Sequence, residues 1–104
     1  MVKKSILARV VAKPGKEKEV ESFLKSALAL AEEEKDTVSW YALRIDEKTF
    51  GVFDTFNDDE GRDAHLNGKI AKALMARASE LFAQPPVIEK VEVLAAKDNA
   101  AVSA

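Results

Sequence analysis

The chain has 104 residues, a length typical of a single domain, and 47% of them are hydrophobic, so we expect one compact core. Charged residues of both signs make up 33% of the chain and leave a formal net charge of -2, which argues against a nucleic-acid-binding surface. The absence of cysteine excludes disulfides, thiolate nucleophiles and Cys-ligated metal centres, and a lone histidine excludes multi-histidine metal sites.

Membrane-spanning and targeting patterns are not evident in the sequence. No apolar run approaches the roughly 18 residues of a membrane span, and the first residues do not resemble a signal peptide. We therefore expect a cytoplasmic protein that does not contact a membrane. We also expect one domain over residues 1–97 and a weakly held tail over residues 98–104.

The first third of the chain has the pattern of a strand followed by a helix. Residues 3–13 alternate between two faces, which predicts a strand, and Pro14 and Gly15 end it. From residue 17 to about residue 34, hydrophobic side chains recur at steps of three and four, which predicts one helix. Its apolar stripe consists of Val20, Phe23, Leu24, Ala27, Leu28 and Ala31. Because the glutamates at 32–34 oppose the helix dipole, we expect a solvated, fraying last turn.

Two segments rich in aromatic and branched residues, 38–45 and 49–56, predict a β-hairpin. Pairing Arg44 with Thr49 across the connecting loop gives a testable register. The facing pairs are then Trp40 with Phe53 and Ala42 with Gly51 on one face, and Tyr41 with Val52 and Leu43 with Phe50 on the other. In this register Arg44 and Asp54 lie on opposite faces.

The second half of the chain predicts a broken helix and a last strand. Asn57 precedes Glu60 by three residues, as in a capping box, so a short helix is expected to follow as far as about Leu66. Asn67 and Gly68 interrupt the helical spacing, which then continues to Gln84. Residues 87–96 alternate again and predict a strand. The order β-α-β-β-α-β predicts an α+β protein of ferredoxin-like topology, with a four-stranded antiparallel sheet covered by helices on one face.

The uncovered face of this sheet predicts a partner. Both faces of the hairpin carry large apolar side chains, so neither is polar enough to face water. A second copy of the chain is the simplest cover, and we expect a homodimer.

Three segments together resemble the antibiotic biosynthesis monooxygenase family of the dimeric α+β barrel superfamily. They are KPGKE at 13–17, TVSWY at 37–41 and DAHL at 63–66, and the resemblance extends over about residues 2–96. It implies two subunits whose sheets pack face to face into a barrel, with a small-molecule pocket between sheet and helices in each. The implied activity is cofactor-independent oxygenation of a quinol or polyphenol-like small aromatic. Haem degradation also occurs in the wider family.

His65 is the candidate catalytic residue, as the only imidazole and as a residue that matches the family pattern after the hairpin. A neutral histidine could accept a proton from a phenolic substrate, whose anion would then reduce dioxygen. The alternative is a structural histidine near a helix break.

The candidate substrate-binding residues are Trp40, Tyr41, Arg44, Phe53 and Met75. In the predicted register the large side chains of Trp40 and Phe53 lie beside the small residues Ala42 and Gly51. The resulting depression would accept a flat aromatic ligand. Ordinary core packing explains the same residues, with Met75 or Phe23 of an overlying helix filling the space. The resemblance adds Tyr41 and Arg44 as members of a polar set around the substrate.

The remaining charged residues leave several alternatives open. Arg9 or Arg44 could pair with Asp54 or Glu92 and set the dimer register, or these charges could lie at a solvated strand edge. The acidic residues at 58–63 fit helix-start preference better than a cation site. No glycine pattern for a nucleotide is present, so we expect no cofactor. Haem bound through His65 and a non-catalytic small-molecule binding module remain the alternatives.

Overall fold

The computed structural model describes residues 2–97 and has one four-stranded antiparallel sheet in the order β2-β3-β1-β4. In chain order the elements are β1 (Lys4–Val11), α1 (Glu17–Ser26), α2 (Leu28–Glu33), β2 (Thr37–Arg44), β3 (Thr49–Phe56), α3 (Asp59–Leu66), α4 (Lys69–Leu81) and β4 (Val87–Glu92). This order and topology confirm the predicted α+β, ferredoxin-like fold. The tail predicted at 98–104 lies outside the described residues. Within residues 2–97, every helix is too short or too polar to span a bilayer.

The core lies between the sheet and the helices. Alternation in β1 turns Ile6, Ala8 and Val10 towards the helices, where all three are buried. The first helical segment buries Val20, Leu24 and Ala31 of its predicted stripe, whereas Leu28, also predicted in that stripe, is 48% exposed. The largest cluster combines Val10, Ala12, Val20, Leu24, Phe50, Leu74, Leu81 and Phe82.

The structure corrects the helix boundaries in three places. The single helix predicted over 17–34 is divided at Ala27, where the Ser26 hydroxyl donates to the Phe23 carbonyl at 2.7 Å and competes with the regular backbone pattern. Asp58, rather than Asn57, caps α3 by accepting from the Gly61 amide at 2.8 Å. The helix predicted to reach Gln84 ends at Leu81, because Phe82 is extended and forms a bridge with Ala12.

The predicted hairpin register is wrong by one residue. Arg44 faces Phe50, and the amide of Ile45 donates to the carbonyl of Thr49 at 2.8 Å. The loop is therefore 46–48, one of the short hairpin connections. The carboxylate of Asp46 holds it closed by accepting from the amides of Lys48 and Thr49 at 2.9 and 2.8 Å. The prediction missed this side-chain contribution to the turn.

The slip exchanges the two faces of β3, since side chains alternate along a strand. Asp54 joins Trp40 on the helix side of the sheet, and Phe53 joins Tyr41 on the opposite side. The expectation that Trp40 faces Phe53 is therefore wrong. So is the expectation that Arg44 and Asp54 lie on opposite faces, because both belong to the helix side.

The other side of the sheet, which we call the open face, is not covered by any helix of residues 2–97. Its central positions are Leu7, Arg9, Tyr41, Leu43, Gly51, Phe53 and Val87. Tyr41 is 55% exposed and Leu43 is 38% exposed, so the open face presents large apolar side chains. Gly51 on β3 pairs with Arg9 on β1, and a Cβ at Gly51 would be 2.9 Å from the carbonyl oxygen of Ala8.

Candidate functional site

His65 lies between two carboxylates in the layer between the helices and the sheet. It is 7% exposed, on the side of α3 that faces the sheet. Its Nδ1 atom is 2.7 Å from Oε1 of Glu34, which directly follows α2, and its Nε2 atom is 2.8 Å from Oδ2 of Asp54 on β3. Three elements therefore meet in a Glu34–His65–Asp54 array, in which both ring nitrogens have an acidic partner.

Neighbouring residues fix the geometry of this array. The hydroxyl of Thr37 donates to Oε1 of Glu34 at 2.8 Å, and the ring of Phe56 lies 5.4 Å from the imidazole centroid. The helix carrying His65 sits close to the chain before β2, because Gly61 has no side chain. A Cβ at that position would be 3.1 Å from the Cβ of Asp36. The Thr37 hydroxyl thus fixes Glu34, and Phe56 on β3 supports the imidazole ring from the sheet.

Burial and charge act in opposite directions on these groups. Burial by itself lowers the pKa of His65, but the Asp54 carboxylate and then the Glu34 carboxylate outweigh it, so the net pKa of His65 is raised. Burial raises the pKa of Asp54, which is completely buried, and the neighbouring imidazole offsets this only in part. Both shifts favour proton retention within the array.

A narrow cavity of about 40 Å³ adjoins the Asp54 end of the array. Asp54 and His65 form its polar part, and its apolar walls come from the sheet and from α1, α3 and α4. The wall residues are Ile6, Ala8, Phe23, Leu24, Ala27, Val52, Leu66, Ile70, Ala71, Leu74 and Ile88. Within residues 2–97, neither carboxylate oxygen of Asp54 accepts a hydrogen bond, since the 2.8 Å approach of Oδ2 to Nε2 of His65 is an ion-pair contact without hydrogen-bond geometry. A buried carboxylate beside this cavity is therefore left free to accept a hydrogen bond.

A cleft open to solvent lies at the Glu34 end. Residues at the start of β2 and at the α3–α4 junction line it, among them Asp36, Thr37, Gly68 and Lys69. His65 lines both spaces. The array therefore lies between a narrow apolar cavity and the solvent cleft.

The proposed substrate-binding residues are not brought together around His65. Trp40 is half-buried on the helix side, packs against the small cluster of Ala27, Ala31 and Ile70, and does not line the cavity. Tyr41 and Phe53 lie on the open face. Met75 is 57% exposed on α4, which contradicts the expectation that it fills the space over the sheet.

The expected charge pairs also differ from those in the structure. Arg44 pairs with Glu21 and stacks over the ring of Phe50 at 4.6 Å from its centroid. Glu92 pairs with Lys4 at 2.9 Å. Arg9 is exposed on the open face. Neither arginine pairs with Asp54 or Glu92 in the described chain.

Sequence reasoning missed Glu34 and the role of Asp54. Glu34 belongs to an acidic run that we expected to be solvated, whereas its side chain is only 20% exposed. Asp54 carried a usable signal, as a carboxylate in the middle of an otherwise apolar strand, where a buried charge requires a partner. The register error concealed that this partner is His65.

Comparison with known proteins shows relatives among solved structures. No model of a known family matches the chain, and no curated protein does. The crystal structure of a protein of unknown function from Nitrosomonas europaea is 56% identical, with a TM-score of 0.91, over 93% of this chain and 94% of that one.

Two further structures are described as "putative antibiotic biosynthesis monooxygenase". The one from Nitrosomonas europaea is 12% identical with a TM-score of 0.77, over 88% of this chain and 90% of that one. The one from Caulobacter crescentus is 20% identical with a TM-score of 0.76, over 90% of this chain and 92% of that one. At these identities the similarity concerns the fold. The chain belongs to the family of the Nitrosomonas europaea protein of unknown function, and it shares its ferredoxin-like fold with these two.

Proposed function

We propose that this protein is a homodimeric monooxygenase of the antibiotic biosynthesis monooxygenase type, which oxidises a quinol or polyphenol-like small aromatic without a cofactor. The observation that carries the proposal is the buried Glu34–His65–Asp54 array beside an apolar cavity. Ionisable groups with raised pKa values in an apolar space are typical of acid–base sites. The shared fold of the two structures described as monooxygenases adds support for this reaction class.

Asp54 is the group that we assign to accept the substrate proton. Both nitrogens of His65 already face carboxylates, whereas within residues 2–97 neither oxygen of Asp54 accepts a hydrogen bond. A phenolic hydroxyl entering the cavity would donate to this oxygen and transfer its proton there. Before this transfer, the neighbouring His65 imidazolium would compensate the negative charge of Asp54.

The rest of the reaction needs only dioxygen. The substrate supplies four electrons to O₂ in two stages: its anion gives two when one oxygen atom bonds to a ring carbon as a peroxide, and two more follow when the O–O bond breaks and that carbon loses its hydrogen. The other oxygen atom leaves as water with the proton held by Asp54 and the hydrogen lost from that ring carbon, so no external reductant is consumed. The protein contributes the proton acceptor and an apolar space for the anion.

Substrate entry requires the cavity to widen. A cavity of about 150 Å³ is known to accommodate benzene, whereas this one measures about 40 Å³. Ile70 and Leu74, both on α4, form part of the wall. Displacement of their side chains would make room for an aromatic ring directly over Asp54.

The open face supports the proposal of a homodimer. Exposed apolar side chains of this size on adjacent strands are unusual for a monomer in water. Packing of two open faces would cover them and would leave the helix-side cavity of each subunit intact. A homodimer is therefore compatible with one site per subunit.

Haem binding through His65 fits this geometry poorly. Axial ligation needs a ring nitrogen with a free lone pair, and both nitrogens of this buried imidazole face carboxylates. We therefore derive no reaction step through haem.

The test is oxygen consumption by the purified protein with a panel of quinols and polyphenols. We expect oxygen uptake and quinone absorbance with at least one compound, and loss of both in Asp54→Asn. Asp63→Asn is the matched control, because Asp63 is an exposed carboxylate on α3 that pairs with Lys90. No uptake across the panel would refute the proposal, and ligand-induced thermal stabilisation without uptake would support a binding module instead.

A further inference from the structure

We propose that Glu34 is a positioning residue of this site, which holds His65 in its cationic form and keeps its Nε2 edge within ion-pair distance of Asp54. The inference rests on the proposed function in taking Asp54 as the proton acceptor. It gives a role to Glu34, which does not line the cavity and was not among the predicted substrate-binding residues. Glu34 acts through His65 rather than on the substrate.

The first argument is geometric. Oε1 of Glu34 is 2.7 Å from Nδ1 of His65 and also accepts from the Thr37 hydroxyl at 2.8 Å. Thr37 opens β2, so the carboxylate is anchored to the sheet while it contacts α3. Fixing one ring nitrogen in this way also fixes the position of the other, and Oδ2 of Asp54 lies 2.8 Å from it in an ion-pair contact that lacks hydrogen-bond geometry.

The second argument concerns charge. Asp54 on β3 and Glu34 after α2 are the carboxylates within ion-pair distance of His65 in the part of the chain described. The nearby Arg62, on α3, directs its guanidinium to the carbonyls of Ser5 and Val91 and to Asp59. Lys69 and Asp36 line the solvent cleft beyond Glu34. A proton on each ring nitrogen is thus matched by a carboxylate at each.

The consequence is a dependence of Asp54 on Glu34. A completely buried carboxylate retains its proton unless a positive charge compensates it. Without Glu34, His65 would lose its extra proton at a lower pH, and Asp54 would then face a neutral ring. Loss of the imidazolium would favour the protonated form of Asp54, whereas loss of the Glu34 charge, which by itself raises the pKa of Asp54, would act in the opposite direction. The effect of Glu34 is therefore read on His65.

The experiment is an NMR titration of the imidazole in untagged protein, where His65 gives the only histidine signal. Glu34→Gln keeps an oxygen that can accept from His65 and Thr37 but removes the charge. Glu33→Gln is the matched control, since Glu33 is exposed and its oxygen lies 3.8 Å from the nitrogen of Lys69. We expect the titration midpoint of His65 to move to lower pH in Glu34→Gln and to stay at the wild-type value in Glu33→Gln.

A second variant guards against misfolding. Glu34→Asp keeps the charge on a shorter side chain, and we expect a midpoint between those of Glu34→Gln and the wild type, with backbone amide spectra of all variants showing the native fold. Equal midpoints in Glu34→Gln and the wild type would overturn the inference. So would a midpoint in Glu34→Asp that is lower than in Glu34→Gln.

Oxygen uptake separates this inference from the proposed function. If the midpoint moves as expected but no aromatic is oxidised, the role of Glu34 in holding His65 stands and the monooxygenase proposal fails. If a quinol is oxidised but Glu34→Gln leaves both the midpoint and the pH profile of turnover unchanged, the function stands and the role of Glu34 is refuted. A merely structural role would lower stability without moving either profile.

Discussion

The array of buried ionisable groups makes the stability of the wild-type protein depend on pH. The pKa values of His65 and Asp54 are both raised, so the native state binds more protons than the unfolded state. Unfolding free energy therefore falls as the pH rises. The contribution of His65 is fully present below the pKa of about 6.5 for an unfolded histidine and is lost as the pH rises through its folded-state value.

Asp54→Asn removes the carboxylate that raises the pKa of His65 most strongly. One additional proton in the native state gives a slope of at most about 1.4 kcal/mol per pH unit. Since about 1 kcal/mol shifts the melting temperature of a domain near 100 residues by about 4–8 °C, the wild-type slope is measurable. We expect the decrease in stability above pH 6.5 to be much smaller in Asp54→Asn, where Glu34 alone still favours the imidazolium.

The measurement is urea unfolding at pH 6.5, 7.5 and 8.5, with the slope of stability against pH as the readout. The slope is informative even if Asp54→Asn changes stability by a constant amount at every pH. Asp63→Asn, with its exposed carboxylate, is expected to keep the wild-type slope. Equal slopes in Asp54→Asn and the wild type, or a wild type whose stability rises over this range, would refute the reasoning.

Three further predictions concern the open face, the sheet and the cavity. Leu43→Asp places a charge on the open face, and we expect light scattering at micromolar concentration to show a monomer in place of the wild-type dimer. A wild type that is itself monomeric would contradict the proposed dimer. Gly51→Ala puts a Cβ 2.9 Å from the Ala8 carbonyl and should lower unfolding free energy by about 1–3 kcal/mol, and unchanged stability would mean that the strands separate easily. Leu74→Ala should lower the unfolding free energy by about 2–5 kcal/mol in denaturant unfolding. Because it also enlarges the cavity, a bound quinol should raise the melting temperature more than in the wild type, and an equal rise would place the ligand elsewhere.

The secondary structure was largely readable from local patterns. Alternation identified β1 and the hairpin, and spacings of three and four identified the helical segments, because the side-chain periods of strand and helix differ. Local chemistry that depends on one side chain was less predictable. The Ser26 contact that accompanies the helix break and the Asp46 contacts that close the loop depend on which of several acceptors a side chain reaches.

The sequence alone determined the topology and singled out His65, because topology follows from element order and a lone imidazole is conspicuous. Only the tertiary structure decided what surrounds that imidazole. Glu34 and His65 are 31 positions apart, and Asp54 reaches them from the sheet, so no local period relates the three. Their meeting depends on a strand register in which a shift by one residue would have turned Asp54 to the open face, and on the packing of α3 against β3.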